Sequence, residues 1–161
     1  MKIEDIIKEY NENLEISIEN LELIFNDAEI RYETVEYIRK NLNRQFSLAL
    51  LSKILTIRLN ENNELSNGDN IMYACYLVGI HKDIRDSIEI WKAKETDFDL
   101  HCYVDIQLVV FCGVKNTIEY LKTIKTKESE NAIEYITECN NAGDFDEIEE
   151  YFSEMNTPWW L

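Results

Sequence analysis

Residues that break helices are scarce in this chain, and this scarcity limits the folds open to it. Its 161 residues include four glycines, at positions 68, 79, 113 and 143, and one proline, at position 158. A sheet protein of this length needs many tight turns, which glycine and proline supply. Long helices joined by short connections need far fewer such residues. The sequence therefore predicts an all-α fold.

Apolar residues recur at helical spacing along most of the chain. Segments 3–10, 14–25 and 29–42 each show one apolar stripe, which predicts amphipathic helices. Segment 45–59 is apolar almost all round, which predicts a central helix buried on several sides. The predicted core stripes of the second and third helices are Leu14, Ile18, Leu21 and Phe25, and Tyr32, Val35, Ile38 and Leu42.

Beyond residue 68, an apolar and an amphipathic segment alternate three times. The paired segments are 69–79 and 83–94, 100–113 and 115–125, and 128–143 and 144–154. Gly79, Gly113 and Gly143 separate the members of each pair, at intervals of 34 and 30 residues. Glycine suits the left-handed position that follows a helix, and such a period is typical of stacked helical hairpins.

This rhythm predicts a single domain, residues 1–161, built of stacked antiparallel helical hairpins. The expected fold is a HEAT- or TPR-like α–α superhelix of about eight or nine helices. A plain helical bundle without a repeat is the structural alternative, and it would bury most of the same residues.

The chain is strongly acidic, with 32 acidic against 16 basic residues and a net charge of −16. Residues 1–30 carry −7 and residues 126–161 carry −9, whereas the middle is balanced. Nucleic acids and anionic membranes are excluded as partners because both require a basic face. A basic protein partner is predicted, since this field would speed its association. An acidic surface that serves only solubility is the alternative.

Three features predict a cytoplasmic protein without a membrane span. No run of about 18 apolar residues is present. The first residues, MKIEDIIKEY, carry three acids, whereas a signal peptide starts with basic residues and continues with an apolar run. The four cysteines match no CxxC pattern, which predicts buried, reduced thiols.

The stretch KETDFDLHCYVD, Lys94 to Asp105, most resembles a chemical site. Its carboxylates and His101 could ligate a metal ion, but neither an HExxH pattern nor a second nearby histidine supports zinc. The favoured interpretation is that Asp97 or Asp99 caps a helix spanning 100–113. Phe98 would then be the apolar residue just before the cap.

Asp105 is less easily explained, because it lies between apolar residues of that predicted helix. A buried carboxylate needs a partner. Arg85, Lys92 or Lys94 could supply an ion pair, and Gln107 could join a small polar network. The alternative is that Asp105 lines a binding groove.

No pattern of a catalytic site occurs in the sequence: there is no GxSxG, no GxGxxG, no P-loop and no kinase signature. His101 and Cys102 are adjacent, so on a helix their side chains diverge by about 100° and cannot act as a base and a nucleophile together. We predict no catalytic residue, no metal and no cofactor, and hence a protein that is not an enzyme. An unrecognised helical enzyme is the alternative.

Partner contacts are predicted from the acidic last hairpin and from the terminal stretch NTPWWL. Its tryptophans either fold back against the helices or anchor a partner. The predicted partner-binding residues are Asp105, Glu147, Glu149, Glu150, Tyr151, Trp159 and Trp160.

The segment from Tyr73 to Tyr120 resembles small bacterial helical-repeat proteins of HEAT-like type. The residues that carry this resemblance are YLVG at 76–79, IWKAKETDFD at 90–99, DIQLVVFCGV at 105–114 and TIEYL at 117–121. The group is similar to immunity proteins of bacterial toxin systems, which implies a non-enzymatic inhibitor that binds and neutralises one toxin. A helical-repeat scaffold or regulatory protein with a housekeeping partner is the alternative, and a DNA-mimic inhibitor is a variant of the immunity role.

Overall fold

The computed structural model describes residues 2–61, 63–153 and 158. Over these residues the chain is 78% helical and has no strand. Ten α-helices are present in the described part, eight of them long, so the predicted all-α fold of about eight or nine helices is confirmed. The HEAT-like stack stays a prediction. The α-helices are α1 Ile3–Asn13, α2 Ile18–Asn26, α3 Ala28–Asn41, α4 Arg44–Asn60, α5 Gly68–Gly79, α6 Ser87–Lys94, α7 Phe98–Tyr103, α8 Val114–Ile124, α9 Lys127–Ala142 and α10 Ile148–Tyr151.

The helices form two compact units, one up to His81 and the other from Lys82 onward. Each unit is described here by itself. That residues 1–161 form a single repeat domain stays a prediction.

In the first unit, α2 packs against α3 and α4 packs against α5. Phe46, Leu50 and Ile54 on α4 are fully buried, and every residue of α5 from Asn70 to Gly79 is buried. The burial on several sides predicted for segment 45–59 is wrong, because the buried residues of α4 lie on one face and Leu59 is 71% exposed. The helix that is buried all round is α5. Apolar burial on these two helices is the main source of stability in the unit.

A buried cation joins three helices of this unit. The Arg31 guanidinium on α3 donates to the Phe25 carbonyl at the end of α2 (3.1 Å) and to the Asn70 Oδ1 on α5 (2.8 Å). It also lies 4.1 Å from the centre of the Tyr73 ring. The guanidinium thus satisfies a helix-end carbonyl while its charge rests against an aromatic face.

Four residues of the predicted core stripes lie at the surface. Leu14, Ile18, Tyr32 and Leu42 are 73%, 45%, 57% and 60% exposed. Leu14 and Leu42 adopt left-handed backbone angles (φ 56° and 45°) and end α1 and α3, so the chain reverses before either could pack. Tyr32 points away from the core that Val35 and Ile38 enter.

In the second unit, α8 and α9 form a hairpin and α6 packs on α9. The single helix predicted for 100–113 is wrong: α7 ends at Tyr103, and a 3-10 turn follows over Ile106–Val110. The buried Lys94 ammonium accounts for the break. It donates to the backbone carbonyls of His101 and Val104, which a continuous helix would pair with its own N–H groups.

The prediction that Gly79, Gly113 and Gly143 each follow a helix is confirmed only in part. Gly143 closes α9 at φ 89° as predicted, but Gly113 (φ 90°) precedes α8 instead of ending a helix. Gly79 lies in the last turn of α5, and Lys82 (φ 50°) supplies the left-handed residue beyond it. The helix predicted for 144–154 is reduced to the single turn of α10, because residues 144–147 form turns after Gly143.

The predicted buried thiols are confirmed at two of four positions. Cys75 and Cys139 are buried, whereas Cys102 is exposed and Cys112 is half-buried. Burial raises the pKa of the Cys75 thiol to about 12, so this side chain is a packing residue without reactivity at neutral pH.

Candidate protein-binding site

The carboxyl end of α9 is closed by backbone hydrogen bonds and has no basic side chain in its last turn. Gly143 takes the left-handed conformation, and backbone N–H groups of Gly143 and Asp144 close the helix on the Asn140 and Cys139 carbonyls. A helix end carries a partial negative charge from its free carbonyls, so this position favours a cation.

A depression of about 720 Å³ lies directly beyond this helix end, and we call it the α9 depression. The segment from α9 to α10 forms most of it, and Gln107 adds to its lining. Its acidic lining residues are all exposed to solvent: Asp144, Asp146, Glu147 and Glu150. Four acidic residues therefore line a space beside a helix carboxyl end, and both features favour a positively charged group.

A hydrogen bond fixes the aromatic wall of the α9 depression. The Tyr151 hydroxyl donates to the Asp105 Oδ2 at 3.0 Å, and the Tyr151 ring packs edge-on against Phe152. Among the described residues no contact ion pair of Asp105 is found, because Lys94 donates to backbone carbonyls, but the Lys94 charge still interacts with this carboxylate. The charge partner predicted for Asp105 is therefore found only in part. With α7 ended at Tyr103, Asp105 lies half-buried in the connection to the 3-10 turn, and the Tyr151 hydroxyl is its hydrogen-bond partner.

Gln107 holds the second wall, since its side-chain amide donates to the Asp144 carbonyl at 2.9 Å. Gln107 does not bond to Asp105 as its sequence position suggested. Together the Asp105–Tyr151 and Gln107–Asp144 bonds tie the acidic turn to the 3-10 segment. The carboxylates are therefore presented on a connection fixed at two points.

The structure brings together most of the predicted partner-binding residues. Glu147, Glu150 and Tyr151 line the α9 depression, and Asp105 supports it from behind. Glu149 is exposed but is not among its lining residues. Trp159 and Trp160 lie outside the described residues.

Sequence reasoning missed Asp144 and Asp146. The signal was present, because the sequence GDFD places two aspartates immediately after a helix-ending glycine. The apolar Phe145 between them is buried, whereas Asp144 and Asp146 are exposed.

The stretch KETDFDLHCYVD is a helix start, as predicted. The Asp97 Oδ1 accepts the Leu100 backbone N–H at 2.9 Å and caps α7. Phe98 does not pack before the cap, because it is the first residue of α7 and 80% of its side chain is exposed. His101 pairs with Glu95. Among the described residues, no group of three or more His, Cys, Asp or Glu side chains is placed to hold a metal ion.

Gly143 controls the shape of the α9 depression. A Cβ at this position would lie 3.1 Å from the Asp146 Oδ2. The residue that carries it would also have to keep the left-handed backbone angle of Gly143, φ 89°. We expect Gly143→Ala to lower the free energy of unfolding by about 1–2 kcal/mol, measured by denaturant unfolding. Gly143→Asn should cost less, because asparagine tolerates this conformation. Unchanged stability in the alanine variant would show that the turn is not constrained as described.

Within the part of the chain that the structure describes, no helix is long and apolar enough to cross a membrane. The chain matches no family model, no curated protein and no solved structure.

Proposed function

We propose that this chain is a non-enzymatic protein-binding module whose partner places basic side chains in the α9 depression. The observation that carries the proposal is the coincidence of four exposed acidic residues with a helix carboxyl end whose last turn contains no basic side chain. A lysine or arginine of a partner would interact with both. The net charge of −9 on residues 126–161 adds to the attraction for such a side chain.

The walls of the α9 depression also suit a protein ligand. Tyr151 offers a ring that is held by the Asp105 hydrogen bond, and tyrosine is enriched where interfaces gain most of their affinity. Because this ring is fixed before binding, little side-chain entropy is lost on association. The exposed carboxylates around it would raise the association rate of a basic protein.

The partner we propose is a bacterial toxin, and the chain would act as its immunity protein in the cytoplasm. The binding surfaces of enzymes that act on anionic substrates are basic, so an acidic module can cover such a surface by charge complementarity. The HEAT-like resemblance of residues 73–120 supports the same proposal. The alternative, a general scaffold, would also bind a basic partner, but it would not protect the cell against a toxin.

The test is to express the product of the gene adjacent to this one in a bacterial host, with and without this chain. We expect the neighbour to stop growth alone and this chain to restore it. Calorimetry on the purified pair should show affinity falling about tenfold or more as salt rises from about 0.05 to 0.3 M.

Two results would contradict the proposal in different ways. Growth arrest that this chain does not relieve would exclude the immunity role and leave a scaffold as the better interpretation. Binding with no dependence on salt would exclude the α9 depression as the docking site, because its contribution is electrostatic.

A further inference from the structure

A second groove lies on the first unit, along α3 and the start of α1. Its volume is about 590 Å³, and the buried side chain of Ile3 contributes to its lining. Two tyrosines and three glutamates form most of the rest: Tyr32, Tyr37, Glu4, Glu33 and Glu36. We call it the α3 groove.

The spacing of these residues gives the α3 groove its chemistry. Tyr32 and Glu36 are four residues apart on α3, as are Glu33 and Tyr37, so each tyrosine has a carboxylate as a neighbour on the helix surface. Tyr32 is 57% exposed although the apolar pattern predicts it in the core. An aromatic face open to solvent beside carboxylates lines one side of the groove.

We propose that the α3 groove binds an arginine side chain of a basic polypeptide. A guanidinium can stack on a tyrosine ring and at the same time donate two parallel hydrogen bonds to a carboxylate. A lysine ammonium is a compact, strongly hydrated charge and gains less from the aromatic face. The groove should therefore prefer arginine to lysine.

The ion pairs of α3 indicate which carboxylate receives the guanidinium. Glu36 already contacts Arg39 (3.1 Å) and Lys40 (3.6 Å). In the described part of the chain, Glu33 and Glu4 form no ion pair. Glu33, four residues before Tyr37 on the same helix surface, is thus the best placed acceptor, and the Tyr37 ring is the face on which the guanidinium would stack.

Lys40 opposes a cationic ligand because it also lines the α3 groove. Its side chain is 73% exposed and is held by a surface ion pair only, so it can move aside at small cost. Removal of the Lys40 charge should therefore strengthen binding of a cationic ligand. A groove that does not bind a guanidinium would not show both stronger binding on removal of the Lys40 charge and a preference for arginine over lysine.

This proposal does not rest on the α9 depression, which belongs to the other unit. The experiment is an NMR titration of the full chain with a capped Gly-Arg repeat peptide and with a Gly-Lys peptide of equal length. We expect the Gly-Arg peptide to shift the amide signals of residues 32–41 and to bind there about fivefold more tightly than the Gly-Lys peptide. Signals of residues 143–153 report separately on the α9 depression.

The variants Tyr37→Ala and Glu33→Gln should each weaken binding at residues 32–41 by about fivefold, and Lys40→Met should strengthen it by about twofold. Glu12→Gln is the matched control, because it removes the same charge from an exposed position on α1 outside the groove. The proposal is overturned by equal binding of the two peptides at residues 32–41, by equal effects of the Glu12 and Glu33 variants, or by no shifts at residues 32–41.

Discussion

Replacing Lys94 with methionine is expected to lower the free energy of unfolding by about 3 kcal/mol. The ammonium is buried and donates to the carbonyls of His101 and Val104, the latter at 2.7 Å. It also lies 5.5 Å from the centre of the Tyr135 ring. Methionine fills a similar volume but leaves both carbonyls without a donor, and α7 then loses the contact that closes its carboxyl end.

Lys92→Met is the control, since Lys92 lies on the same helix but is exposed and pairs only with Glu89. It should change stability by less than about 0.5 kcal/mol. Denaturant unfolding followed by circular dichroism measures both variants. Equal stability of the Lys94 variant and the unchanged chain would mean that the ammonium does not hold the end of α7.

The same side chain gives a pH dependence with a defined sign. Burial lowers the pKa of the Lys94 ammonium below its ordinary value of 10.5, although Glu95 opposes the shift. The folded chain therefore releases this proton at a lower pH than the unfolded chain does. The stability difference between the unchanged chain and Lys94→Met should grow as pH rises through the interval from that lowered pKa to 10.5. A neutral amine still has two N–H groups, enough for both carbonyls.

The all-α fold could be predicted from the sequence because helical periodicity is a local property. The positions of α1, α3, α4 and α9 agree with the predicted segments to within a few residues. The break after α7 could not be predicted in this way. Most residues of 100–113 are apolar, and the cause of the break is Lys94, which lies outside this segment and does not enter its periodicity.

The exposure of Tyr32 and Leu42 has a similar origin. Helical spacing places them on the face of Val35 and Ile38, but a helix buries only the part of a stripe that neighbouring helices reach. Which part is covered depends on where α1 and α4 lie, and this is a tertiary property. The α3 groove was therefore not foreseeable from the stripe itself.

The α9 depression could be predicted in part, because the positions of acidic residues are given by the sequence, whereas the distances between them depend on the fold. Glu147, Glu150 and Tyr151 were assigned to partner binding from the acidity of the last hairpin. Tyr151 and Asp105 are 46 residues apart in the sequence, and only the folded chain brings their side chains into contact. The role of Asp105 as a support for an aromatic wall follows from that contact.

Reversing the charges of Glu147 and Glu150 together should weaken binding of the proposed partner by about 100-fold, or about 3 kcal/mol. Both carboxylates are exposed, and among the described residues neither forms an ion pair. The double variant Glu147→Lys, Glu150→Lys should therefore fold as the unchanged chain does. Its effect on binding arises because attraction to basic side chains becomes repulsion at the end of α9.

The matched control is Glu119→Lys, Glu134→Lys, which makes the same change in net charge on exposed surfaces of α8 and α9, away from the depression. It should weaken binding by less than about tenfold, through the overall field alone. Calorimetry and stopped-flow association with the purified partner separate the two cases. The Glu147 and Glu150 variant should slow association, speed dissociation and flatten the salt dependence, whereas the control should only slow association. If both pairs weaken binding equally, the acidic surface acts through its total charge, and the α9 depression is not the docking site.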